Sequence, residues 1–169
     1  APASGRLLLA RRADASSEVG SGHVMRCMAL AEAAQDAGGR AVFLCRALPG
    51  DLREEIVARG FELLTLPVSG DWTPERDAQD TLQALVGLDR PPHWVLVDHY
   101  GLGAAWHRAV AASAARIAVL DDLANRPLDC HVLIDLNAVT TLHRRYPALT
   151  PAGCTHLLGP RYTLLRREV

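Results

Sequence analysis

Two glycines separated by one residue, followed at once by a histidine, are the most chemically suggestive feature of the chain. Gly20, Ser21, Gly22 and His23 close a loop that begins near Arg12, and Arg26 follows three residues later. Paired glycines let a backbone turn sharply and let a ligand approach closely. His23 falls where a helix is expected to begin, and the positive end of a helix dipole disfavours imidazolium. A neutral imidazole is what a general base requires. Arg26 in the same first turn opposes the dipole, so a compensating anion is expected: Asp14, Glu18 or an anionic ligand. A dinucleotide fingerprint would need a third glycine where Met25 stands and favours an acid where Arg46 stands, so that reading is rejected.

Two further clusters follow apolar runs. Asp98-His99-Tyr100 comes after Trp94–Val97, which places Tyr100 as a hydroxyl donor or wall at a cleft, with Asp98 capping a turn and His99 in solvent. Asp121 and Asp122 follow Arg116–Leu120 and lead into the turn-like Leu123–Pro127 with Asn125. Adjacent side chains on extended backbone point to opposite sides, which argues against a paired-acid mechanism.

These clusters need a scaffold that brings strand ends together. Short apolar runs at Leu7–Ala10, Val42–Cys45, Phe61–Leu66, Trp94–Val97, Arg116–Leu120, Val132–Ile134 and His156–Leu158 read as strands. Between them lie helical segments at Val24–Ala37, Asp51–Arg59, Thr73–Gly87 and Ala104–Ala114. Gly38 and Gly60 stop two of these, and Thr73-Pro74 supplies an N-cap and first helical residue. Strands alternating with helices predict βαβ units: an α/β, Rossmann-like three-layer sandwich on a mostly parallel sheet. Ligands in such folds gather outside the carboxyl ends of the strands, where all three clusters fall.

Composition narrows the chemistry. The 169 residues carry 18 basic and 19 acidic side chains, for a net charge of -1. Every basic residue is arginine, which excludes a P-loop lysine and a Schiff-base lysine. Near-neutral charge and 5% aromatics offer no field or stacking platform for nucleic acid. No apolar stretch is long enough to span a membrane. Cys27, Cys45, Cys130 and Cys154 form no C-x-x-C pair, and the seven histidines are scattered, so no metal or cofactor is expected. Unpaired cysteines and the lack of a signal-peptide pattern lead to the expectation of a cytoplasmic location.

The stretch from Arg12 to Cys27 resembles the opening signature of the nucleotide-sugar hydrolases of pseudaminic acid biosynthesis. The resemblance recurs at Val97–Leu102, Val119–Pro127 and Leu157–Arg166. It implies release of UDP from a UDP-linked diacetamido-trideoxy-hexose, by water attack at the anomeric carbon with inversion. His23 would activate the water. Gly20, Ser21, Gly22, Arg26, Asp14, Tyr100, Asp121, Asp122 and Asn125 would shape or contact the substrate site. The family is related to GT-B glycosyltransferases, built of two Rossmann-like halves. The resemblance implies that residues 1–169 correspond to the N-terminal half, with the C-terminal nucleotide-binding domain absent, and that the chain alone is weakly active or inactive. Two alternatives remain: a glycosyltransferase acceptor domain, and a non-catalytic sugar-binding module.

Overall fold

A computed structural model describes residues 5–14, 22–68, 70–113, 115–138 and 140–162, with the backbone alone for 22–25. Its elements alternate as expected: β1 (Leu8–Ala13), α1 (Gly22–Asp36), β2 (Arg40–Arg46), α2 (Arg53–Ala58), β3 (Glu62–Leu66), α3 (Pro74–Val86), β4 (Trp94–Asp98), α4 (Ala104–Ala111), β5 (Arg116–Leu120), β6 (Val132–Asp135), α5 (Leu142–Arg145) and β7 (Thr155–Leu158), then a 3-10 turn at Pro160–Tyr162. The strands form one sheet in the order β3-β2-β1-β4-β5-β6-β7. All six pairings are parallel.

Local signals set the boundaries. Thr73 caps α3 by accepting the Arg76 N–H at 3.2 Å, and Pro74 opens the helix without a wasted donor. Gly38, at φ +83°, ends α1 in the left-handed conformation that glycine adopts freely. β1 runs three residues beyond the apolar stretch because Arg11, Arg12 and Ala13 are all buried. Alternation along β1 divides the core in two. Leu9 and Ala13 pack with Met28, Phe43 and Phe61 on the α1–α2 face. Ala10 packs with Leu44, Val97, Trp106 and Tyr146 on the α3–α4–α5 face. A sheet covered on both faces explains why its strands read as continuous apolar runs.

β1 and β4 are neighbours, but the chain winds from β1 toward β3 on one side and from β4 toward β7 on the other. Their carboxyl ends therefore define the topological switch point, the usual ligand crevice of such sheets. Among the described residues no helix is long and apolar enough to cross a membrane.

Candidate active-site rim

Asp14 leaves β1 at this crevice and directly precedes the glycine-histidine loop. Its carboxylate is buried and accepts four hydrogen bonds. Arg12 donates twice, to Oδ1 at 2.6 Å and Oδ2 at 2.8 Å; the Arg46 backbone N–H donates at 2.9 Å. The fourth donor is His99 Nε2, at 3.2 Å. His99 Nδ1 accepts the Gly101 N–H at 3.0 Å, which fixes the proton on Nε2. Burial alone would raise the Asp14 carboxyl; donors from His99 and Arg12 outweigh it and hold it well below the usual carboxylate range. His99 is thus not the solvated residue expected from sequence. It is clamped between Asp14 and Gly101, and its ring stacks on Trp72 at 5.6 Å and 19°.

Arg12 also reaches Asp77 of α3, with Nε at 3.1 Å and Nη2 at 2.6 Å. Asp77 collects further donors from Trp106 Nε1 at 3.0 Å, Trp72 Nε1 at 3.1 Å and Arg46 Nε at 3.0 Å. Burial raises the Asp77 carboxyl, but the Arg12 contacts prevail and bring it to about 2. This node ties α3 to the carboxyl ends of β1 and β2. Sequence reading missed it, because 65 residues separate Arg12 from Asp77 and nothing marks them as partners.

The other side of the crevice is more open. Among the described residues Arg26 pairs with Asp98; of the compensating anions expected, Asp14 is engaged by Arg12 and His99, and Glu18 lies outside the described residues. Arg26 Nε and Nη2 reach Asp98 Oδ2 at 3.2 and 3.1 Å, and Nη2 reaches Oδ1 at 3.1 Å. The Arg26 side chain is 31% exposed above a fully buried Asp98, so this pair joins α1 to the end of β4. Tyr100, 37% exposed, donates to Asp122 Oδ1 at 2.5 Å. Partial desolvation, then the hydrogen bond to Asp122 and its charge, push its phenol up to about 12.

Asp121 and Asp122, just beyond β5, turn to different partners. Asp121 turns inward to the Ala124 N–H at 2.8 Å, Arg126 Nη1 at 2.8 Å and the Tyr146 hydroxyl at 3.1 Å. That hydroxyl also donates to Asp135 at 2.7 Å. Asn125 Oδ1 accepts from Arg126 Nη1 at 3.2 Å. The backbone of Gly22 and His23 opens α1, which places His23 in the helix's first turn. Gly20, Ser21 and the His23 side chain lie outside the described residues. Among the described residues no group of three or more His, Cys, Asp or Glu side chains is arranged to hold a metal ion.

A seven-stranded parallel sheet with a ligand crevice at its switch point defines a Rossmann-like α/β protein. MurG from Acinetobacter baumannii has a similar structure, with a TM-score of 0.58 and 11% identity over 89% of this chain and 44% of that one. At that identity the likeness shows the fold alone. In sequence, the chain is 27% identical over 160 residues to the UDP-2,4-diacetamido-2,4,6-trideoxy-beta-L-altropyranose hydrolase of Campylobacter jejuni. That match covers 93% of this chain and 51% of the relative, so the chain spans about half the length of the protein it resembles. No family model matches it.

Proposed function

We propose that this chain is the N-terminal half of a nucleotide-sugar hydrolase that releases UDP from a UDP-linked diacetamido-trideoxy-hexose. The observation that carries the reading is the similarity to the Campylobacter hydrolase along almost the whole chain, joined to a rim whose exposed polar groups lie at the switch point. A water oxygen attacks the anomeric carbon, the bond from that carbon to the diphosphate oxygen breaks, and UDP departs with inversion. His23 accepts the water's proton. The first turn of α1 suits it to this, since the helix dipole favours the neutral imidazole.

Tyr100, Asp122 and Arg26 face the sugar in this reading. Asp14, already engaged by four donors, acts by anchoring the start of the loop. Asp121 and Asn125 shape the β5–β6 turn through Arg126. A C-terminal domain supplies most of the nucleotide contacts, and the isolated chain turns over slowly or not at all.

In a two-domain protein carrying this chain, His23→Ala should lower kcat by roughly 10²–10⁴-fold with an unchanged circular dichroism spectrum. Wild-type turnover in that variant would overturn the role of His23. The MurG-like fold favours a second reading, transfer of the sugar to an acceptor hydroxyl. Product analysis decides between them: free sugar formed equally with and without added acceptors marks the hydrolase.

A further inference from the structure

Beside the Asp14–His99 pair the rim opens into a cleft of about 310 Å³. Its polar walls are already spent. Asp14 has its four donors. Both His99 ring nitrogens are engaged. Arg46 is neutralised by Asp77 at 2.9 Å and Asp80 at 3.0 Å, and also donates to the Pro67 carbonyl. The Trp72 indole N–H is held by Asp77. What the cleft presents to a ligand is carbon: Leu48, Pro67, Val68 and the outer surface of Trp72, with Val68 64% and Trp72 41% exposed.

Charge logic then selects the occupant. A diphosphate needs uncompensated positive charge or free N–H donors, and the named side chains of this wall are neutralised or engaged. A bare hydroxyl-rich ring would leave its polar groups unpaired against carbon. A small apolar substituent on an otherwise polar ligand fits both constraints: its carbon end enters the cleft and its polar end stays at the wet rim. We propose that this cleft is the subsite for an N-acyl substituent of the sugar, with the acyl methyl against Trp72 and Val68. The proposal rests on the nucleotide-sugar reading above and deepens it. It makes the β3–α3 segment a determinant of sugar specificity, separate from the reacting carbon.

The stack that walls the cleft has a built-in requirement. A Cβ on Gly101 would lie 2.9 Å from Trp72 Cη2 and 3.0 Å from His99 Cε1. Any side chain at that position must push on both rings.

The test uses the 169-residue chain, labelled with ¹⁵N, and three probes: N-acetylglucosamine, glucosamine and UDP. Trp72→Phe assigns the Trp72 indole N–H resonance. N-acetylglucosamine should shift that resonance together with the Gly70 amide. Glucosamine at the same concentration and UDP should leave both in place. Val68→Glu, at an exposed position that the fold tolerates, should weaken N-acetylglucosamine binding by about tenfold or more with an unchanged melting temperature. An equal response to glucosamine, a response at Trp72 to UDP, or no response to N-acetylglucosamine up to its solubility limit would each overturn the subsite. The parent reading fails separately. If a two-domain protein hydrolyses the UDP-sugar through His23 and Val68→Glu leaves KM unchanged, the subsite is wrong and the hydrolase stands. If it releases no UDP while Val68→Glu still abolishes the Trp72 response, the hydrolase reading is wrong and the N-acyl cleft stands.

Discussion

Arg11 and Arg12 are adjacent in β1, both fully buried, and they live in opposite electrostatic worlds. Arg12 points to the α3 face and forks onto Asp14 and Asp77, which raise its pKa despite complete burial. Arg11 points to the α1 face, donates Nη1 to the Cys27 carbonyl and lies over the Phe43 ring at 5.5 Å. Its Nε and Nη2 have no hydrogen-bond partner among the described residues. Burial pulls its pKa down to about 10. Burying a guanidinium is tolerable when carboxylates meet its fork, and expensive when a carbonyl and a ring are all it finds. The first arrangement lies under the candidate site and locks three elements together; the second lies under α1.

The sharpest way to break this comparison is to make the same substitution twice. Arg12→Met takes from buried Asp14 its arginine partner and leaves buried Asp77 with Arg46 as its one described arginine, and should destabilise the fold by about 3–5 kcal/mol, read as a lower urea midpoint. Arg11→Met removes an under-satisfied charge at similar volume and should leave stability unchanged or raise it by roughly 1–4 kcal/mol. Equal losses would show that the two sites do not differ as their partners imply.

Acid titration sharpens it further, with two windows. Asp14 and Asp77 have depressed pKa values in the folded state. Their contribution is complete above the unfolded value of 3.8; the Asp77 part disappears as pH falls through about 2, and the Asp14 part only in still stronger acid. His107 acts earlier. Burial lowers its imidazole to about 4 from 6.5, so the unfolded chain takes up a proton that the folded one refuses. Stability should therefore fall by about 3 kcal/mol between pH 6.5 and 4. His107→Asn keeps an acceptor for the Asp129 N–H and should flatten that window only. The smallest expected effect is Gly101→Ala, which pushes on the Trp72–His99 stack and should lower stability by about 1–3 kcal/mol. Arg12 and Asp77 should tolerate it without losing their pairing.

Much of the fold was legible because period and punctuation agreed. Each expected strand exists, and the parallel pairing follows from the alternation with helices except at β5–β6, which are parallel with no helix between them. α5 was missed because Leu142–Arg145 is one turn with three basic residues and no room for periodicity. β1 was cut short because two arginines look like a surface boundary, whereas their partners lie far along the chain. The exposed part of the candidate rim was visible in residue type: Tyr100 meets Asp122, and Arg26 lies part-exposed over Asp98. The buried part was not. Asp77 and Trp72 gain their roles only when α3 docks beside β1 and β2, and His99 reads as a surface residue until Asp14 and Gly101 close on it.

The proton that Gly101 lends to the His99 ring gives the crevice a natural clock. An amide held by a side chain, unlike one held by a strand ladder, trades with solvent each time that ring swings aside. The deuterium uptake of this one amide would therefore report how often the His99 ring leaves its place beside Asp14, and a ligand that settles there should slow it.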